Sequence, residues 1–206
     1  MDISTYDKTA LELFTIIINK GPITLYAANT ASKIPIGTIH RHLKEMIKTE
    51  KIKVYDIIQS GRKKIAYGPT PYGFIYFYRL DNVIKKNLDF YFDFWIKKEQ
   101  FFSELKKSGF DDKKLISDPN MSKTVFKKYV QFYAGVEDQL EHLAKNLSEM
   151  PRDIRWFTGG FLVVQKKEYM NMYEDLVKFM PGYRKDITDF LEGLIETYKR
   201  LKKMNP

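Results

Sequence analysis

Apolar residues recur at helical spacing in three short stretches near the start of the chain. The first stretch ends at Gly21-Pro22, because glycine and proline typically stop a helix. The second runs from Leu25 to about Ser32, and Thr24 stands where it can cap the helix. The third runs from about Pro35 to Thr49. Its apolar face comprises Ile36, Ile39, Leu43, Met46 and Ile47.

A β-hairpin is predicted directly after the third helix. Ile52 and Val54 alternate with lysines, which is the pattern of a half-buried strand. Residues 59–62, Gln-Ser-Gly-Arg, supply a turn, and the chain returns from Lys63 to Tyr67. The pattern therefore predicts two antiparallel strands with cations close to their turn.

Long helical patterns dominate the remainder of the chain. Thr70 as N-cap and Pro71 at the first helical position start an aromatic-rich helical pattern that covers residues 72–107. A later helix carries apolar residues spaced alternately three and four apart, as in a coiled-coil seam. This stripe fits a dimer interface and a helix packed inside its own subunit equally well. The candidate dimer residues are Tyr129, Tyr133, Val136, Leu140, Leu143 and Leu147.

These patterns predict a mainly α-helical fold with one small β-hairpin. The sequence pattern changes near residue 70, from short segments separated by glycine and proline to long helical patterns. We therefore expect two domains, residues 1–72 with the hairpin and residues 73–206 as an all-α domain.

Charge gives the first indication of a partner. The chain of 206 residues carries a net charge of +9, and residues 1–80 hold 12 basic and 6 acidic residues. A basic N-terminal part indicates an anionic partner, most often nucleic acid. Solubility alone explains the charge equally well.

The residues of the third helix resemble a known family. The run from Gly37 to Met46, Gly-Thr-Ile-His-Arg-His-Leu-Lys-Glu-Met, is similar to the Thr-Val-x-Arg-His-Leu-like recognition helix of winged helix-turn-helix regulators of the ArsR, PadR and MarR kind. The segment from Gly68 to Gly73 is similar to the Leu-Thr-Pro-x-Gly segment that follows their wing. The resemblance covers about residues 5–80. It implies an N-terminal winged helix-turn-helix domain that binds double-stranded DNA and regulates transcription.

A DNA-binding surface follows from this resemblance and from helix geometry. Residues near the N-terminus of a recognition helix read base edges in the major groove, and nearby cations neutralise phosphates. The hairpin corresponds to the wing, whose tip lies over an adjacent groove or the backbone. Protection of a hairpin edge from aggregation is the alternative explanation for charged residues at that tip, and the adjacent third helix favours DNA contact. The candidate DNA-binding residues are Lys33, Gly37, Thr38, His40, Arg41, Lys44, Lys48, Arg62, Lys63 and Lys64.

Alternative functions keep the fold and change the partner. A winged helix also serves as a protein-interaction module in transcription, replication or segregation assemblies, or as an architectural DNA binder. Within the regulator hypothesis we expect a homodimer, with a small-molecule effector or a protein partner as further possibilities. Aromatic residues such as Trp95 and Trp156 are candidates for lining an effector pocket, although aromatics at helical spacing more often form plain core.

Several classes of activity are not expected. The chain has no cysteine, which excludes disulfides and thiolate metal sites. His40 and His42 are two residues apart on a helix and point to different faces, so they do not form a metal pair. We expect no enzyme activity, no cofactor, no metal and no membrane span, and a cytoplasmic location because the N-terminus lacks a secretory signal.

Overall fold

The structure is a computed structural model that describes residues 5–59 and 61–146, together with residues 192, 193 and 196. Two compact units divide the chain, residues 1–108 and residues 109–206. The elements of the first unit are α1 (Thr5–Lys20), α2 (Leu25–Ala31), α3 (Ile36–Lys48), β1 (Ile52–Gln59), β2 (Arg62–Pro69), α4 (Pro71–Leu80), α5 (Asn82–Trp95) and α6 (Glu99–Lys107). The described part of the second unit contains α7 (Asp112–Ser117) and α8 (Pro119–Asn146).

The mainly helical fold with a small β-hairpin after three helices is confirmed. Two of the predicted caps are also present. The hydroxyl of Thr24 accepts a hydrogen bond from the amide of Ala27 at the start of α2. The hydroxyl of Thr70 accepts from the amide of Gly73 at the start of α4, with Pro71 in the first helical position. Both ends are fixed by short-range chemistry that the sequence displays.

The hairpin pairs β1 with β2 in antiparallel register, from Ile52 opposite Pro69 to Gln59 opposite Arg62. A bridge between Ile23 and Tyr67 adds a short third segment beside β2, with nitrogen-to-oxygen distances of 3.1 and 2.8 Å. This bridge leaves β1 as the outer strand of the hairpin.

The predicted burial pattern of β1 is wrong beyond Ile52, the first residue of the strand. Ile52 is buried, but Val54 is exposed and the buried side chain is Tyr55, opposite Ala66. The Tyr55 hydroxyl donates to the carbonyl of Pro69 at 3.1 Å, so the larger ring is buried with its polar atom paired. Successive strand residues alternate between the two faces, so burying Tyr55 turns Val54 toward solvent.

The aromatic-rich pattern over residues 72–107 is not one continuous helix. It breaks into α4, α5 and α6, with Asp81 between the first two. The Asp81 carboxylate accepts a hydrogen bond from the amide of Val83 and caps α5. An aspartate that bonds its neighbouring backbone competes with helix continuation, so it starts a new helix at that point.

Helices α4 to α6 complete the core that α1 and the hairpin begin. Phe14 of α1 stacks on Phe77 of α4 at a centroid distance of 4.3 Å and meets Phe74 edge-on at 5.6 Å. The indole N–H of Trp95 donates to the carbonyl of Ile18 at 3.0 Å. Because these contacts join α1 to α4 and α5, the compact unit extends to Ser108, beyond the boundary expected at residue 72.

Gly73 allows α4 to lie directly against the segment that joins α3 to β1. A Cβ atom there would overlap the carbonyl oxygen of Lys51 and lie 2.8 Å from the ring of Phe14. Glycine is therefore required at this position by the close approach of two backbone segments.

In the second unit, α7 packs against α8. The carboxylate of Asp111 caps α7, and the ring of Phe110 lies 5.2 Å from that of Tyr129 on α8. Among the residues that the structure describes, no helix is both long and apolar enough to cross a membrane.

Candidate nucleic-acid interface

Helix α3 has one buried face and one exposed polar face. Ile39, Leu43 and Met46 are fully buried, and the helix packs against α1, α2 and β1. The opposite face carries side chains spaced four, three and four residues apart, which is one solvent-facing stripe. The exposed residues of that stripe and its border are Gly37, His40, Arg41, Lys44 and Lys48.

The first turn of α3 differs from the expectation at two side chains. Ile36, expected on the core face, is 48% exposed, and Thr38, expected toward solvent, is only half-exposed. The reason lies in the entry of the chain: Pro35 precedes α3 in an extended conformation, and core contacts begin at Ile39. An apolar side chain thus stands beside the polar stripe, where it can contact a thymine methyl group.

The start of α3 carries no side-chain cap. Pro35 occupies the cap position and makes no side-chain hydrogen bond to the helix. A Cβ at Gly37 would meet no atom within 4 Å, and its backbone is not in the left-handed region. The amide groups of this turn therefore face an open, partly positive helix end, with exposed Lys33 two residues before Pro35.

The hairpin tip supplies a second group of exposed cations. Arg62, Lys63 and Lys64 follow the turn at Gly61, which has a φ of 72° and suits glycine. Lys63 lies opposite Ile58, and Lys64 lies opposite Ile57. Because neighbouring residues of a strand point to opposite faces, the cations emerge on both faces of the tip.

The base of the hairpin is tied to α6 by a small charge cluster. The Glu104 carboxylate accepts hydrogen bonds from Lys53 of β1 and from Lys107, the latter at 2.9 Å. Burial opposes ionisation of Glu104, but the two lysines outweigh it and hold the pKa of this carboxyl below its ordinary value. This cluster anchors the strand that carries the tip.

Most of the predicted cations have no carboxylate partner among the residues that the structure describes. Within residues 5–59 and 61–146, no ion pair joins Lys33, Arg41, Lys44, Lys48, Arg62 or Lys63 to an acidic side chain. We call these six residues, together with Lys64, the cationic surface. The six charges for which the described residues supply no carboxylate are available to an external polyanion.

Sequence reasoning assigned no structural role to His42, which the structure buries. Burial lowers the pKa of His42 from 6.5, and the neighbouring charge of Arg41 lowers it further. The imidazole is therefore held neutral beneath the exposed stripe. Its place three residues after Ile39 and one before Leu43 was the available signal, since both of these residues lie on the apolar face.

The candidate dimer residues fall in the second unit. Tyr129 is buried against Phe110 in the same subunit, whereas Tyr133 and Val136 are half-exposed. Leu140 and Leu143 belong to α8 without described side chains, and Leu147 lies outside the described residues.

Of the two interpretations of Trp95, core residue and lining of an effector pocket, the structure supports the core residue. Its indole is fully buried among Tyr55, Phe94 and Phe101, so it is a core residue. Trp156 lies outside the described residues. A cleft of about 190 Å³ exists between α7 and α8, but its carboxylates Asp111 and Asp118 already accept backbone hydrogen bonds.

No model of a known protein family matches the chain, and no curated protein matches it. Among the described residues, no group of three histidine, aspartate or glutamate side chains is arranged to hold a metal ion.

Proposed function

We propose that the protein is a sequence-specific double-stranded DNA-binding transcriptional regulator with a winged helix-turn-helix domain. Helix α3 enters the major groove, and the β1–β2 hairpin acts as a wing on the adjacent groove or the backbone. One observation carries the proposal: α3 buries Ile39, Leu43 and Met46, and its opposite face presents Arg41, Lys44 and Lys48 to solvent without carboxylate partners in the described part of the chain.

The exposed groups divide the work between base reading and phosphate binding. Arg41 carries a planar fork that matches the O6 and N7 acceptors of guanine, and His40 lies beside it for a second polar base contact. Lys33, Lys44 and Lys48 neutralise phosphates along the groove. Gly37 leaves the helix N-terminus open, so a phosphate can approach the free amides closely.

We further propose that the protein acts as a homodimer in the cytoplasm. Two copies of α3 about 34 Å apart would read two half-sites of an inverted repeat. The half-exposed Tyr133 and Val136 of α8 suit such a contact.

A second candidate function is a protein-interaction module. The observation that favours it is a pair of exposed apolar residues, Val83 and Phe90, seven residues apart on α5. Side chains at that spacing lie on one helix face and form a surface of the kind that partner proteins cover.

Fluorescence anisotropy over a salt series tests the proposal. The probes are the DNA upstream of the protein's own gene and a scrambled duplex of equal composition. Arg41→Ala should weaken binding to the upstream DNA by about 1–3 kcal/mol and reduce its preference over the scrambled duplex. Replacing Lys63 and Lys64 by alanine should weaken both duplexes alike and flatten the slope of log K against log salt by about 0.9 per lost phosphate contact.

Lys86→Ala is the matched control. Lys86 is an exposed lysine on α5, outside the cationic surface, and its loss removes one charge as well. It should leave the affinity and the salt slope nearly unchanged. Equal binding by wild type and Arg41→Ala refutes the assignment of α3. Equal binding of wild type to both duplexes favours an architectural role, and no binding at low salt favours the protein-interaction module.

A further inference from the structure

The hairpin exposes apolar side chains close to its cationic tip. Ile58 is 78% exposed, the largest exposed fraction among the large hydrophobic residues in the described part of the chain. Ile65 is 59% exposed and Val54 is 42% exposed. These three residues form what we call the apolar strip.

Strand register places the apolar strip on one face. Ile58 lies directly opposite Lys63, and the next pair on the same face is Asp56 with Ile65. Ile58 and Ile65 are therefore diagonal neighbours, a position from which long side chains on adjacent strands reach each other. Ile58 stands nearest the turn, and only one residue pair, Gln59 with Arg62, separates it from the end of the hairpin.

Folding of the hairpin does not require this strip to be apolar. The hairpin packs through its other face, where Tyr55 and Ala66 are buried. Isoleucine favours a strand through its branched Cβ, but threonine offers the same branching without an exposed ethyl group. Two-stranded edges commonly carry charged residues instead, because exposed apolar strands aggregate.

Charge complementarity identifies the kind of surface that would cover Ile58. Arg62 and Lys63 lie beside it on opposite faces of the tip, and within the described residues neither of them pairs with Asp56. A matching partner therefore presents an apolar patch bordered by negative charge on both sides. The stacked base pairs of a duplex, seen from the minor groove between its two phosphate backbones, have this composition.

We propose that the hairpin inserts Ile58 between two base pairs of the minor groove and kinks the duplex, with Ile65 supporting it from behind. The inference rests on the proposed DNA-binding function and adds a mechanism to it. Apolar side chains that enter a base step unstack it and bend the duplex by about 20–90°. Flexible steps such as TA and CA/TG are the expected sites, because they unstack most easily.

The experiment compares Ile58→Thr with Val54→Thr on a duplex labelled at both ends with a fluorescent pair. The duplex is the upstream DNA used above, and transfer efficiency at saturating protein reports the bend. Threonine keeps the branched Cβ in both variants, so the strands should persist, as far-ultraviolet circular dichroism will check. Val54 lies on the same face but four residue pairs farther from the turn, which makes it the matched control.

Wild type and Val54→Thr should bring the duplex ends closer together. Ile58→Thr should bind about tenfold more weakly and leave the duplex straight, with an unchanged salt slope because every phosphate contact remains. If wild type binds the duplex but leaves it straight, the wedge is overturned and DNA binding stands. The same holds if Ile58→Thr bends the duplex as much as wild type does. If no protein binds DNA, the proposed function and the wedge fail together. If Ile58→Thr changes only the oligomeric state, the strip is a protein contact and the wedge is overturned.

Discussion

Replacing Gly73 by alanine tests the close packing on which the DNA-binding unit depends. The added methyl group would overlap the Lys51 carbonyl and press on the Phe14 ring at 2.8 Å. Overpacking of this kind costs about 1–3 kcal/mol, and a backbone obstacle places it at the upper end. Alanine returns about 1 kcal/mol of helix propensity. The expected net loss is therefore about 2 kcal/mol of unfolding free energy.

The assay is urea unfolding followed by circular dichroism at 222 nm, with the slope m compared between variants. Gly37→Ala is the control, since a Cβ at that helical glycine meets no atom within 4 Å. It should raise the unfolding free energy by about 0.5 kcal/mol, because alanine restricts the unfolded chain. The two substitutions are chemically identical and differ in the predicted sign.

If the Gly73→Ala variant is as stable as wild type and its slope m is unchanged, the close packing of α4 against Lys51 is refuted. Gly37→Ala also carries a functional expectation. If the open helix end accepts a phosphate, the added methyl group should weaken DNA binding while the fold gains stability. If Gly37→Ala loses both DNA binding and stability, the conclusion that the fold does not need glycine at this position is contradicted.

Three further predictions concern two titrating groups and one helix cap. Burial lowers the pKa of His42 below 6.5, so just below that pH the unfolded chain binds a proton more readily than the folded chain does. The unfolding free energy should therefore fall as the pH drops below about 6.5. In urea titrations, His42→Gln should remove this dependence of stability on pH. The pKa of Glu104 lies below 4.5, so its contribution exists above that pH; Glu104→Gln should be less stable at pH 7, and thermal melts should show the gap closing under acid conditions. Thr70 donates to the Glu50 carbonyl at 2.6 Å and caps α4, so Thr70→Val should cost about 2 kcal/mol in urea unfolding.

Each of these predictions has a control. His40→Gln, at an exposed neighbouring position, should keep the acid slope of wild type, and its loss there would contradict the assignment to His42. A stability gap for Glu104→Gln that persists at pH 3 would show that the lost lysine contacts are not its cause. Thr70→Ser should stay near wild type, since the hydroxyl remains.

Local chemistry determined the ends of several elements from the sequence alone. Thr24 and Thr70 cap helices where the sequence indicates, and the turn at residues 59–62 sets the register of the hairpin. Caps and tight turns act over three or four residues, so the information they need is contiguous in the chain. The candidate cations were found in the same way, because lysine and arginine side chains on a short helix and at a turn remain exposed.

Long-range packing decided which face of each element is buried. The alternation in β1 gave the period of a strand, but the core selected Tyr55 and left Val54 outside. Likewise, the pattern of α3 gave a helix, but only the contacts with α1, α2 and β1 buried His42 and released Ile36. A periodic pattern fixes the spacing of side chains, whereas its phase depends on a partner element far away in the chain. The extension of the first unit to Ser108, set by aromatic contacts between α1 and α4, depended on the tertiary structure for the same reason.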